Sequence, residues 1–290
     1  MARLWIIGPG AVGQTLGRLL AERDVFEIAG VIGRDPAATA QARNFIDRGD
    51  VLTFADRIDA RPGDTVMISV SDGAIDGVAD WLAQAVDPAG LVVFHCSGAR
   101  DLAPLEPLRQ RGAAVAALHP VKAFADPARE ILTFEGVVCT LQGDEAAVAT
   151  LAPALAAIGA DPVVLPEAVD RRLYHAGAVF ASNYLAALVQ AALECHAAAG
   201  LDAATSLRIL SPILRDGLDA ILDRGPVQAL TGPIARGDAA AVAAQVMAIA
   251  AHDRELAGLY LELGRQTLEL ARRKTPGLDL SALEAVLAKH

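Results

Sequence analysis

The chain is short of the residues that mark several functional classes. Lysine is nearly absent: only Lys122, Lys274 and Lys289 occur, and 25 basic residues face 35 acidic ones for a net charge of −10. A nucleic-acid partner calls for a basic stripe that neutralises phosphates, so that class is excluded. An anionic ligand must instead be met by local positive groups or helix N-termini. Cysteine is scarce too. Cys96, Cys139 and Cys195 are odd in number and widely spaced, with no C-x-x-C. That excludes a disulfide framework and a zinc knuckle, leaves no metal site to expect, and fits reduced thiols in the cytoplasm. Aromatic residues make up only 4%. The sequence shows neither an internal repeat nor a low-complexity linker.

What is present is apolar and rich in alanine. Hydrophobic residues are 53% of 290, with mean hydropathy +0.37. Such a chain can bury a large core and is long enough for two domains. It opens Met-Ala-Arg-Leu and runs directly into an apolar stretch, so no signal peptide is expected. Residues 176–193 are apolar enough to suggest a membrane span. Ser182, Asn183, Tyr184 and Gln190 within them favour a buried helix and no membrane.

Short apolar runs alternate with helical patterns over the first 165 residues. Expected strands are 4–7, 27–32, 51–54, 65–70, 91–95, 114–118, 136–141 and 162–165. Continuous rather than alternating apolar runs suit a parallel sheet covered on both faces. Asp35-Pro36 and Asp126-Pro127 read as helix caps followed by Pro at the first helical position. After Pro166 only helices are expected, at 167–199, 202–223, 238–273 and 281–288, with a capping box at Ser281–Glu284. The expected class is α/β: an N-terminal Rossmann dinucleotide-binding domain, 1–165, and an all-α domain, 166–290, for substrate and dimerisation.

The first expected turn reads Gly8-Pro9-Gly10-Ala11-Val12-Gly13. A bare G-x-G-x-x-G is weak, but this one follows a strand and opens a helix. Gly8 permits the tight turn, Gly10 the approach of a pyrophosphate, and Gly13 close helix–sheet packing. The N–H groups of Ala11, Val12 and Gly13 then face the anion. At the end of the second strand an NAD-specific domain usually places an acid. Here Arg34 comes first, suited to a 2′-phosphate, while Asp35 has a competing role as the cap. NADP(H) is therefore preferred to NAD(H). Three further strand ends are polar: Ser69-Val70-Ser71-Asp72, His95-Cys96-Ser97-Gly98 and His119-Pro120-Val121-Lys122. Val70, Ser71, Cys96 and Ser97 are expected to line the cofactor cleft.

Other segments point to a family. They are Phe94-His95-Cys96-Ser97-Gly98, Leu118-His119-Pro120, Tyr174-His175-Ala176 through Ser182-Asn183, Leu230-Thr231-Gly232-Pro233 and Arg236-Gly237-Asp238. With these the chain resembles bacterial Rossmann-like oxidoreductases with a C-terminal helical domain of unknown function, in the wider 6-phosphogluconate dehydrogenase-like superfamily. Pyrroline-5-carboxylate reductases, ketopantoate reductases and deazaflavin-dependent NADP reductases are similar in architecture. The resemblance implies a nicotinamide-dependent reductase or dehydrogenase that dimerises through its helical domains. It implies no substrate.

Related dehydrogenases often carry a Lys on the first long helix of the second domain, with an Asn one or two turns on. This chain has no lysine there. His175 stands in the matching place, with Asn183 beyond it. On one helix Ser182 would lie about 20° and Asn183 about 80° round from His175, with a rise of about 12 Å between His175 and Asn183. His175 is expected as general acid or base and Asn183 as an orienting amide. His119 is the alternative acid or base, at a strand end where a reacting carbon should lie. Lys122 and Arg236 are weighed for an anionic substrate against solvated and turn roles. His95 and Cys96 are weighed as pocket lining. His196, His252 and His290 read as surface or terminal residues. Short-chain dehydrogenases are excluded, because no tyrosine begins Y-x-x-x-K. The expected function is NADP(H)-dependent hydride transfer with a small C=O or C=N compound. The alternative is a non-catalytic, redox-sensing nucleotide binder.

Overall fold

Eight apolar runs pair into a single sheet. The computed structural model describes residues 1–288, so Lys289 and His290 lie outside the described residues. The strands are β1 (Arg3–Ile7), β2 (Glu27–Ile32), β3 (Asp50–Leu52), β4 (Thr65–Ile68), β5 (Val92–His95), β6 (Ala114–Pro120), β7 (Val138–Gly143) and β8 (Asp161–Val164). Their order is β3-β2-β1-β4-β5-β6-β7-β8. β6 and β7 are antiparallel and all other neighbours parallel. Each strand falls on an expected run.

Alternate side chains enter two cores. Leu4, Ile6, Met67, Phe94 and Leu118 pack into one, with Leu16 and Leu20 of α1 (Ala11–Glu22). Trp5, Ile7, Val66, Ile68 and Val93 enter the other. Burial on both faces is why the strands read as unbroken apolar runs. The next helices are α2 (Pro36–Ile46), α3 (Ile75–Ala85), α4 (Glu106–Arg109), α5 (Pro127–Leu132) and α6 (Glu145–Ala157). The two Asp-Pro caps form as expected: Asp35 accepts from Ala37 N at 2.9 Å and Asp126 from Ala128 N at 3.0 Å.

Six helices follow: α7 (Arg171–Ala181), α8 (Asn183–Ala198), α9 (Ala203–Ala229), α10 (Ala239–His252), α11 (Arg254–Lys274) and α12 (Ser281–Leu287). The single helix expected over 167–199 is two, because Ser182 leaves helical geometry at φ −122°, ψ −63°. The one expected over 238–273 is also two. Asp253 is extended and caps α11, accepting from Glu255 N and Leu256 N. The capping box at Ser281 does not form. Asp279 takes Ser281 N and Oγ, and Glu284 pairs instead with Arg272.

The chain divides into two compact units, Met1–Val179 and Phe180 onward. The expected boundary near 165 marks the end of the sheet, but the first turns of α7 belong to the first unit. In the second unit Val242, Leu261, Leu268, Leu283 and Leu287 form a small core. The apolar stretch expected to be buried is not: no residue of α8 is buried, and Tyr184, Leu185 and Leu188 are exposed. Arg171–Ala198 is long and apolar enough to cross a membrane by length and composition.

Candidate functional site

β1 and β4 are neighbours, yet the chain leaves β1 towards β2 on one side and β4 towards β5 on the other. Loops diverge at such a switch point and open a crevice at the carboxyl ends of the strands. The glycine loop sits there. Gly8 has φ +88°, and a Cβ on it would collide with Val70. Its N–H donates to Ile32 O at 2.9 Å, tying the turn to β2. Ser69, which sequence reasoning left out of the site, donates from Oγ to Gly8 O at 2.7 Å. Gly10 faces only Ser69 O, 3.9 Å from where a Cβ would stand. It is the N-cap of α1, with no side-chain cap and no acid in the first turn. The N–H groups of Ala11, Val12 and Gly13 are thus free of a side-chain cap above an open backbone. These features fit a pyrophosphate. Val70 is half-buried and Ser71 exposed. Arg34 is exposed and makes no ion pair among the described residues.

The loop after β5 is braced from below. His95 is fully buried, and its Nε2 meets Asp101 O at 2.9 Å while its Nδ1 accepts from Ser97 N at 3.2 Å. The two bonds select the neutral Nε2–H tautomer. Burial pushes the imidazole down to about 4. His95 is therefore a strut rather than pocket lining. Ser97 is buried and its Oγ accepts from Ala99 N and Arg100 N, so that oxygen serves the turn. Burial pushes the Cys96 thiol far up, which leaves no thiolate for a nucleophile.

Next to this loop three hydrogen-bonding side chains form a chain. Tyr174 OH lies 2.9 Å from His119 Nδ1 and 3.2 Å from Thr140 Oγ1. The antiparallel register puts His119 opposite Thr140 on β7. Either tautomer of His119 completes the chain, with the tyrosine donating to one partner and accepting from the other. The His175 ring stands edge-on to His119, with centroids 5.6 Å apart. Burial first, then His175 and Arg171, lower the His119 imidazole to about 4. His119 is therefore neutral at pH 7 and can pass a proton. Gly98 makes this packing possible: a Cβ there would lie 2.6 Å from His175 Nδ1 and 2.8 Å from His119 Nε2.

Arg171 completes the cluster. It is 1% exposed, donates from Nη2 to Ser97 O at 2.8 Å, and lies over the Tyr174 ring. Its Nε and Nη1, like His175 Nδ1, are buried without a hydrogen-bond partner. Sequence reasoning missed Arg171 and gave Tyr174 no role. An arginine opening a helix reads as a solvated cap, and only the partners across 55 to 74 residues give these two their place.

The other candidates separate from this cluster. Asn183 lies in the second unit, and the break at Ser182 removes the shared helix that placed it relative to His175. Asn183 Oδ1 accepts from Ser182 Oγ at 2.9 Å. Lys122 is neither solvated nor free, since its Nζ meets buried Glu130 at 2.8 Å and holds that carboxyl below the usual range. Arg236 closes a short turn before Asp238, which caps α10 by accepting from Ala241 N at 3.0 Å. The helical unit has an apolar cavity of about 740 Å³ among α8, α10 and α11.

Residues 2–120 match the model of a Rossmann-like domain, and residues 137–267 that of a domain of unknown function, DUF2520. The chain joins a Rossmann-like domain to a DUF2520 domain. The DUF2520 match begins at β7, so it takes in the last two strands of the sheet together with Tyr174 and His175. No curated protein matches the chain. Among solved structures it is similar to TM1727 from Thermotoga maritima, at 22% identity and TM-score 0.72, covering 93% of this chain and 99% of that one. It is similar to a reductive aminase from Aspergillus terreus, solved with NADPH and ethyl-5-oxohexanoate. That match has 22% identity and TM-score 0.66 and covers 98% of each chain. It is also similar to an imine reductase from Myxococcus stipitatus, a V8 variant with NAD+, at 17% identity and TM-score 0.66, covering 100% and 99%. Identities this low establish a shared fold.

Proposed function

We propose that the protein is an NADP(H)-dependent oxidoreductase that transfers hydride to or from a small compound with a C=O or C=N bond. The observation that carries this reading is one cleft-forming edge with two features: an uncapped glycine loop at the switch point, and the neutral His119–Tyr174–Thr140 chain three strands along from β1. The reductive aminase solved with NADPH and the imine reductase solved with NAD+ share the fold and support a nicotinamide cofactor.

The dinucleotide would be held by Gly8, Gly10 and the N–H groups of Ala11, Val12 and Gly13, with Val70, Ser71, Cys96 and Ser97 nearby. Arg34, exposed and unpaired, would meet a 2′-phosphate and set the preference for NADP(H). When bound, the nicotinamide supplies or accepts the hydride. His119 gives or takes the accompanying proton at Nε2, and Tyr174, itself bonded to Thr140, holds the ring through Nδ1. His175 packs edge-on against His119.

Two measurements test this. Fluorescence titration of NADPH and NADH is expected to show tighter NADPH binding, and Arg34→Ala to weaken NADPH alone by about 10- to 100-fold. Equal losses for both cofactors would remove the NADP(H) assignment. A screen of keto acids and cyclic imines then separates an enzyme from a redox-sensing binder, since a sensor binds NADPH tightly and turns nothing over. We also propose a cytoplasmic homodimer whose partner is a small molecule rather than a nucleic acid or a membrane. The apolar, uncovered α8 supports the dimer, and the net charge of −10 speaks against a nucleic acid. Light scattering at micromolar concentration that returned a monomer would overturn the dimer.

A further inference from the structure

Three charged side chains are buried among the described residues: Asp64, Glu130 and Arg171. Asp64 is paired with Arg3 and Glu130 with Lys122. Arg171 has no carboxylate. Its hydrogen bonding is confined to the Ser97 carbonyl, with the Tyr174 ring as a second, weaker contact. Asp101 is near enough to favour its charge but forms no ion pair with it, and the Asp101 carboxylate accepts from Ala103 N. A buried guanidinium loses its hydration, and the loss is unfavourable unless a partner makes it good. Bulk solvent does not reach Nε or Nη1, and no protein group bonds to them.

The shape of the unused part is informative. Nη2 carries two hydrogens and one goes to Ser97. Whichever is used, one complete edge of the fork remains, either Nε–H with Nη2–H or Nη1–H with Nη2–H. Two parallel donors of that kind match the two oxygens of a carboxylate. Its direct contacts are the Tyr174 ring and the Ser97 carbonyl, and the nearby acid, Asp101, keeps its carboxylate on Ala103 N. Arg171 and His119 both pack against the Tyr174 ring, and the Arg171 charge is near enough to act on the His119 imidazole.

We propose that Arg171 is the carboxylate-binding residue of this site, and that the compound acted on bears a carboxylate at or next to its C=O or C=N carbon. The proposal rests on the oxidoreductase reading and narrows its substrate to keto or imino acids. The carboxylate supplies the missing partner of the fork, displacing the packing that covers it, and leaves the neighbouring carbonyl or imine facing His119.

Calorimetric titration tests this with matched probes: 2-oxovalerate against 2-pentanone, and 1-pyrroline-2-carboxylate against 1-pyrroline, with and without NADPH. The acids are expected to bind tighter than their neutral partners by on the order of 10- to 100-fold. Arg171→Met is expected to erase that preference while leaving neutral binding as it was. Arg171→Lys keeps the charge without the fork and is expected to fall between. Thermal unfolding separates this role from a purely structural one. An unpaired buried charge replaced by an apolar side chain is expected to leave the melting temperature within about 3 °C of wild type, or to raise it. Equal binding of acids and neutral probes, no binding of either acid, or retained acid preference in Arg171→Met overturns the proposal. A lower melting temperature with acid preference intact in Arg171→Lys assigns Arg171 to structure and overturns it too. Failure of NADPH to bind, with acid preference intact, overturns the cofactor reading and leaves Arg171 in place.

Discussion

Two arginines stand at opposite ends of the same sheet and are treated differently. Arg3 opens β1 and meets Asp64 through Nε at 3.1 Å and Nη2 at 2.6 Å, with Nη2 also reaching Asp59 O. Asp64 takes two more donors, Trp5 Nε1 at 3.1 Å and Arg61 N at 3.0 Å. Arg171, at the carboxyl ends of β5 and β6, has one hydrogen bond and two orphaned nitrogens. At the end where strands begin the charges are paired, and the orphaned atom there is the neutral Thr65 Oγ1. The end where they finish is left incomplete in its polar contacts. Buried groups without partners are rare because they are costly, so their concentration at one end marks where a ligand is expected.

The contrast predicts that damage at the two ends has opposite signatures. The largest effect is expected from His119→Ala, which should lower turnover of the best substrate by about 100- to 10,000-fold with little change in the urea midpoint. Tyr174→Phe should fall less, since it keeps the ring and loses the relay. Asp64→Ala should do the reverse, costing about 3–5 kcal/mol of stability by urea unfolding with per-molecule turnover kept. A His119 variant that unfolded as readily as the Asp64 variant would break the comparison. The smallest effect is one of pH. The His95 and His119 imidazoles titrate near 4 when folded against an ordinary 6.5. The folded state binds these protons less readily than the unfolded chain. Their contribution to stability is therefore complete above about pH 6.5 and drains away as pH falls towards 4. Urea midpoints at pH 7, 6 and 5 should decline in that order, less steeply in His119→Ala. The acid limb of the turnover profile should lie nearer 4 than 6.5.

The strands were legible in the sequence because burial on both faces writes an unbroken apolar run, as in β1 and β4. The glycine loop was legible because its chemistry is local. The break at Asp253 was not, since no Gly or Pro announces it and the capping bonds go to the two residues that follow closely. The relay was legible only at His119. Thr140 and Tyr174 join it through an antiparallel strand pair and a helix far along the chain, and no spacing rule reaches that distance. Lys122 was misjudged for the same reason, because buried Glu130 reads as one more acid on a surface helix.

The antiparallel step between β6 and β7 has a consequence for how this chain can be cut or recombined. The Rossmann-like match stops at 120, but the sheet does not. A chain ended there would present β6 as seven residues of open edge, stripped of the ladder that runs from Ala116–Gly143 to Pro120–Cys139. An uncovered apolar edge recruits strands from other molecules, so that half alone is expected to be sticky. It would also lose Thr140, Tyr174 and Arg171 together. The unit of inheritance for the site is therefore not the first matched segment. It reaches through the two borrowed strands to the first turns of α7, and a functional swap between relatives has to carry all of it.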